Sequence, residues 1–195
     1  MKAIYIIIGL LVFTPFLCSS QTVFQDDFDS NNNAWTEVVL NTGETLVTNG
    51  VMRIKSNTKD TLTSHTFLDF DPNQNFTLTC MSTVKKVNDK SKFGIIVDYK
   101  DDGNYISFLV WEGVAIMTRV KDGKVVGTIK NGIKLKKEKK AEVNLKITKN
   151  FKGLYFEVND MLAIEARYLD LTSSGVGFCV IGEQQVEFDN LKVEQ

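Results

Sequence analysis

The sequence is short of histidine, proline and cysteine. A single histidine, His65, stands among 195 residues, which excludes multi-histidine metal centres and leaves any Ser-His-Asp or Cys-His scheme dependent on one side chain. The two prolines impose few breaks on the chain. Lys plus Arg number 23 against 24 Asp plus Glu, a formal charge of -1. With no basic excess to neutralise a row of phosphates, nucleic acid is not expected as a partner. No stretch beyond residue 20 sustains a 3.6-residue apolar period, so helices are not expected either. Hydrophobic residues make up 43% and mean hydropathy is -0.09, the composition of a globular chain rather than a disordered or fibrous one.

What is present begins with MKAIYIIIGLLVFTPFLCSS at 1–20. Lys2 gives a short positive start, Ala3 to Leu17 an apolar stretch interrupted by Pro15, and Cys18 to Ser20 a run of small residues. This reads as an export signal peptide cleaved before Gln21, because a membrane anchor needs about 20 uninterrupted apolar residues. The mature chain, 21–195, is expected to hold no transmembrane segment and to be periplasmic, cell-surface or extracellular. A lipid anchor at Cys18 is the lesser alternative, since no leucine stands three positions before it and Leu17 rather than a small residue directly precedes it. The two remaining cysteines are too few for a disulfide framework. Cys80 alternates with Phe76 and Leu78 and should point inward, whereas Cys179 alternates against Val176, Phe178 and Val180 and should face the other way. Two unbridged thiols are expected rather than a disulfide.

Short β-branched and aromatic runs recur between turn signals along 21–195, the pattern of an all-β chain. Asn49-Gly50, Asp122-Gly123, Asn131-Gly132 and Asn159-Asp160 each supply residues tolerant of positive φ between alternating runs. Strands are expected near 35–40, 44–48, 51–56, 61–69, 76–86, 92–100, 105–110, 114–121, 124–130, 141–148, 153–158, 161–167, 175–181 and 186–193. No linker or repeat divides them, so one antiparallel β-sandwich domain is expected over 21–195. The run KLKKEKK at 134–140 could grip an acidic polysaccharide or a lipid headgroup, but the acids at 138 and 142 dilute it and a solvated hairpin loop is the preferred reading. Asn75-Phe76-Thr77 is a glycosylation sequon with meaning only in a eukaryotic secretory route.

Turn lengths between Phe93 and Lys130 suggest which side chains share a face. A four-residue loop at Asp101–Asn104 pairs Lys100 with Tyr105, Asp98 with Ser107 and Ile96 with Leu109. A three-residue loop Trp111-Glu112-Gly113 then sets Ile95, Val97, Tyr99, Ile106, Phe108, Val110, Ile116, Thr118, Val120, Val125 and Ile129 on one apolar face. The opposite face carries Lys100, Tyr105, Arg119 and Val126 in one row, Asp98, Ser107, Met117 and Thr128 in another, and Trp111 at the rim. Asp98, Lys100, Tyr105, Ser107, Trp111 and Arg119 are therefore the candidate ligand-binding residues. Aromatic rings stack on sugar faces while carboxylate, guanidinium and hydroxyl groups bridge sugar hydroxyls. An ordinary solvated sheet face is the competing reading.

FQDDFDSNNNAW, KFGIIVDYKDDGNYISFLV, LYFEVNDMLAIEA and the ending SGVGFCVIGEQQVEFDNLKV together resemble the concanavalin A-like lectin/glucanase jelly roll. The version is similar to secreted bacterial domains grouped with family sixteen glycoside hydrolases and 3-keto-disaccharide hydrolases. Laminarinase-type relatives use Glu-x-Asp-x-x-Glu, which sets two carboxylates about 5 Å apart for a retaining mechanism. Here the only near match, Glu187-Phe188-Asp189-Asn190-Leu191-Lys192, ends in lysine, so no catalytic residue is assigned and catalysis is not expected. Val186 and Phe188 share one parity and Leu191 and Val193 the other, which requires a bulge near Asp189-Asn190. In calcium-bearing members of the superfamily an aspartate of the closing strand holds a structural ion. The resemblance implies Asp189 for that role with Asp27 as helper; hydrogen bonding of Asp189 to bulged amides is the alternative. The expected function is a secreted, non-catalytic module binding carbohydrate or another cell-envelope partner. Its rivals are a glycan-degrading hydrolase related to the keto-sugar enzymes and a structural surface protein that meets a protein partner.

Overall fold

The computed structural model describes residues 21–86, 91–135 and 141–195, with the Lys86 side chain excepted. The expected signal peptide and positions 136–140 of the lysine-rich run lie outside the described residues. The strands are β1 (Thr22–Asp26), β2 (Val38–Leu40), β3 (Gly43–Thr48), β4 (Val51–Ser56), β5 (Thr61–Phe67), β6 (Phe76–Lys86), β7 (Lys92–Asp101) and β8 (Asn104–Trp111), followed by β9 (Val114–Lys121), β10 (Lys124–Gly132), β11 (Glu142–Asn150), β12 (Gly153–Val158), β13 (Met161–Arg167), β14 (Gly175–Ile181) and β15 (Gln184–Glu194). They form two sheets. The nine-stranded sheet runs β13-β12-β11-β6-β15-β4-β3-β2 with β1 also on β15, and the six-stranded sheet runs β10-β9-β8-β7-β14-β5. Every strand pairing is antiparallel. The fold is an all-β sandwich, a jelly roll.

The core fills with the inward positions of both sheets, as period-two alternation dictates. Phe178 of β14 stacks on Phe188 of β15 at 4.3 Å and on Trp35 at 5.2 Å, with Phe28 against both Phe178 and Trp35. This aromatic group ties one sheet to the other. Cys80 is buried within the same core, Cys179 is buried in the small cluster on the outer side of the six-stranded sheet, and both are free. Burial holds both thiols up, Cys179 to about 12, which makes them inert at neutral pH.

Three turns form as expected: Asn49-Gly50, Asp122-Gly123 and Asn159-Asp160 all have positive φ. Asn131-Gly132 does not turn; it continues β10, with the Asn131 amide donating to the Ala163 carbonyl at 2.8 Å. β1 was not expected from sequence, and Trp35 lies in a loop rather than opening a strand.

The expected face assignment in β7–β9 needs correction. Glu112 and Gly113, both at positive φ, make a two-residue turn that pairs Trp111 with Val114, in place of the three-residue loop. That choice exchanges the faces of β9: Ala115 and Met117 enter the core, while Ile116, Thr118 and Val120 turn outward with Leu109, Ser107 and Tyr105. In β7 the ladder pairs Ile96 with Ser107 and Val97 with Ile106, two residues out of the expected step. A bulge between Val97 and Asp101 absorbs the difference, with Asp98 at φ 52°. Beyond the bulge Tyr99 leaves the core side and joins Ile96, Leu109 and Cys179 on the outer face. Ile129 pairs with Met117 on the inward side, but Val125 and Val126 are exposed on the edge strand β10.

Candidate functional site

The outer face of the six-stranded sheet can be read off the pairings, since directly opposed residues share a face. One row crosses from β5 to β10 as Thr63, Cys179, Gly94, Leu109, Ile116 and Lys130; the next is His65, Gly177, Ile96, Ser107, Thr118 and Thr128. Towards one end follow Phe67, Gly175 and Tyr99, then Tyr105 and Val120 on the neighbouring strands. Towards the other end lie Thr61, Ile181 and Lys92, with Trp111 and Val114 beyond.

Glycine keeps the middle of this surface bare. A methyl group at Gly175 would lie 2.1 Å from the Tyr99 carbonyl oxygen, and one at Gly177 would lie 2.6 Å from that of Ser64. With no side chains on β14 there, the His65 ring of β5 reaches across to stack on Tyr99 of β7 at 4.0 Å, and Phe67 approaches Tyr99 at 6.2 Å. Tyr99 donates its hydroxyl to Asp102 at 3.0 Å. Burial lowers the His65 pKa, partly opposed by Asp102, so the imidazole is neutral at neutral pH. At the far end Lys92 holds its Nζ 5.4 Å from the centre of the Trp111 ring.

Of the expected ligand residues, Tyr105, Ser107 and Trp111 lie on this face. Asp98 does not reach it. Its Oδ1 accepts the backbone N–H groups of Thr172 and Ser173 at 2.7 and 2.8 Å and the Thr172 hydroxyl at 3.1 Å, fastening the β13–β14 connection to the bulge. Arg119 pairs with Ile106 and so shares the inward side of the sheet near its open edge. Lys100 is exposed at the tip of the β7–β8 hairpin. Asp98, Lys100, Tyr105 and Arg119 nevertheless line one cavity of about 240 Å³ beside Thr172. The six candidates thus fall on two adjoining surfaces rather than one.

The outer face of the nine-stranded sheet has a different character. Lys85 pairs with Glu187 at 2.9 Å, Lys146 with Glu157 at 3.0 Å and Arg53 with Glu44 at 3.2 Å. These charges meet opposite charges on the same face, as on an ordinary solvated sheet.

For the expected ion, the register of β15 against β6 shifts between Asp189 and Lys192, with Asn190 at φ 53°. Asp189 Oδ1 accepts the Asn190 N–H at 2.6 Å. Asp27 is exposed, and its carboxylate accepts the Gln25 amide at 3.2 and 3.3 Å. The bulge falls where β1, on Leu191–Glu194, and β4, on Gln184–Phe188, meet along one flank of β15. The carboxylates of Asp189 and Asp27 are hard oxygen ligands of the kind calcium takes, while the Asp189 carbonyl already accepts the Cys80 thiol at 3.3 Å. Among the described residues no three His, Cys, Asp or Glu side chains converge, so an ion would need backbone carbonyls besides Asp189 and Asp27.

No protein-family model matches the chain and no curated protein matches it. Solved structures do. The catalytic domain of an endo-1,3-beta-glucanase (laminarinase) from Thermotoga petrophila superposes with a TM-score of 0.64 at 10% identity, over 91% of this chain and 98% of that one. The Emp47p carbohydrate recognition domain gives 0.61 at 12% identity over 89% and 96%. The carbohydrate-binding module CBM66 from Bacillus subtilis gives 0.57 at 15% identity over 84% and 96%. These likenesses show the fold: the chain has the jelly-roll β-sandwich that the laminarinase catalytic domain and the carbohydrate-binding domains share.

Proposed function

We propose that the chain is an exported, non-catalytic glycan-binding module whose binding surface is the outer face of the six-stranded sheet. One observation carries the reading: that face presents Trp111, Tyr105, Tyr99 and Phe67 with hydroxyls of Ser107, Thr118 and Thr128, yet among its described positions there is no carboxylate. Aromatic rings and hydroxyls hold sugars. Retaining hydrolysis needs two carboxyl groups about 5 Å apart, and Asp102 touches this surface from its rim, through the Tyr99 hydroxyl. The carbohydrate-binding neighbours support the ligand class, while the laminarinase neighbour shows that the same fold also carries catalysis. Export rests on residues 1–20; no helix among the described residues is long and apolar enough to cross a membrane.

The test is retention on a panel of immobilised polysaccharides, followed by titration of the retained one. Trp111→Ala and Tyr105→Ala should each weaken binding about tenfold or more, as loss of a stacking ring does, and leave the melting temperature within a few degrees. No new reducing ends should appear over long incubation. Turnover abolished by Asp102→Asn would overturn the non-catalytic reading; affinity untouched in both ring variants would move the site elsewhere.

We further propose that calcium stabilises the β1–β4–β15 junction through Asp189 and Asp27. At a hundredfold excess over Kd a bound ion adds about 2.7 kcal/mol, or roughly 5–10 °C in a chain of this size. Melts with excess calcium and with chelator should differ by that amount in the wild type and coincide in Asp189→Asn. Coincident melts in the wild type would leave Asp189 as a bulge-capping residue alone.

A further inference from the structure

With Asp98 fastened to the β13–β14 connection and Arg119 turned inward, the outer face of the six-stranded sheet has a one-sided chemistry. Its charged side chains are Lys92 and Lys130, placed there by the pairings of Lys92 with Ile181 and of Lys130 with Ile116. Among the described positions of the face there is neither a carboxylate nor an Asn or Gln amide. Neutral sugars offer hydroxyl protons, and carboxylates and amide oxygens are the side-chain groups that accept them best. This face supplies ammonium and hydroxyl donors instead. The acids that border the face are Asp102, which accepts the Tyr99 hydroxyl at 3.0 Å, and Glu112 and Glu183 in the turns at the other end, each with an interaction of its own. The contrast with the opposite sheet is chemical: there, three cations each face a carboxylate within 3.2 Å.

We infer that the ligand is an anionic polysaccharide, whose carboxylate or sulfate groups are received by Lys92 and Lys130. This rests on the reading of the same face as a glycan surface. Lys92 presents its ammonium beside the Trp111 indole, so one spot combines a stacking ring with a charge-assisted donor, the pair that a sugar with a charged substituent requires. Lys130 stands three strands away in the sheet order, roughly 14 Å across the strand spacing. Two anchors at that separation suit several linked sugars rather than one, with the polymer crossing the strands.

The experiment compares retention and titration on polygalacturonate, κ-carrageenan and neutral laminarin. Binding to one or both polyanions is expected, with carboxylate and sulfate distinguished by which polymer is held. Lys92→Ala and Lys130→Ala should each weaken it about tenfold, the loss typical of one charge-assisted contact. Lys92→Arg/Lys130→Arg should retain it, and raising the salt from 0.05 to 0.5 M should weaken it severalfold. Polyanion affinity unchanged in the Lys92→Ala/Lys130→Ala double variant overturns the assignment of these lysines. Retention of laminarin with loss in Trp111→Ala, and no retention of either polyanion, overturns the anionic ligand and leaves the glycan surface standing. A folded chain that holds none of the three overturns the anionic ligand and also counts against the broader reading. Both lysines are solvent-accessible, so thermal melts of the variants are expected to match the wild type and separate lost binding from lost fold.

Discussion

Asp26→Ala should lower stability by roughly 3–5 kcal/mol, the range for leaving several buried donors without an acceptor. Asp26 is 6% exposed. Its Oδ1 accepts the Phe28 N–H at 2.8 Å, and its Oδ2 accepts both the Asn33 amide and the Trp35 indole N–H at 2.7 Å. The carboxylate thus organises the loop that delivers Phe28 and Trp35 to the aromatic group joining the two sheets. Removing it takes the acceptor from an indole N–H whose residue is 2% exposed, and a buried donor without a partner is costly. The drop in melting temperature should be on the order of 10 °C. Asp27→Ala, at the exposed neighbour, is the matched control and should change stability by less than about 0.5 kcal/mol in the presence of chelator. Equal losses from the two substitutions, measured by thermal or urea unfolding, would contradict the assignment of Asp26 as the organising acid.

The second large effect is expected at Asp98. Substitution by alanine leaves the N–H groups of Thr172 and Ser173 unbonded in a position where the acid is only 8% exposed, at a cost of roughly 2–4 kcal/mol. Alanine is also strained at φ 52°. Asp98→Asn keeps an acceptor oxygen and tolerates the left-handed backbone, so it should recover much of the loss. This pair separates an architectural role from ligand contact. Stability matters in both variants, and binding should follow only where the β7 bulge loosens and Tyr99 shifts. A normal melt with abolished glycan binding in Asp98→Ala would return Asp98 to the ligand surface.

These two acids show where sequence reading succeeds and where it stops. Alternation and turn residues expose most of the strands, because each strand needs only local periodicity. Parity also requires the β15 bulge, since Phe188 and Leu191 are both core residues three positions apart. The β7 bulge has no such mark. Gly94, Ile95, Ile96 and Val97 are apolar on both faces, for the outer side of this sheet carries its own small cluster of Ile96, Tyr99, Leu109 and Cys179. The turn at Glu112-Gly113 is hidden for another reason. Glutamate is a poor residue for φ 30°, but seven paired positions along β8 and β9 outweigh a strain of about 1–3 kcal/mol at one residue. Gly175, Val176, Gly177 and Phe178 alternate glycine with core residues, and that alternation marks a strand bare on its outer side, the feature that brings His65 and Phe67 to Tyr99. In FQDDF, two adjacent aspartates differ only in parity. Asp26 faces the core, where it is 6% exposed, and Asp27 faces solvent.

Hydrogen exchange tests the binding surface most directly. The chain is measured alone and saturated with a polysaccharide that it retains, and protection is read along the backbone. A ligand on the six-stranded sheet should slow exchange in 92–111 and 114–121, above all around Tyr105 and Trp111, and leave 76–86 and 142–150 unchanged. Protection confined to the strands of the nine-stranded sheet, or none at saturation, would contradict the account.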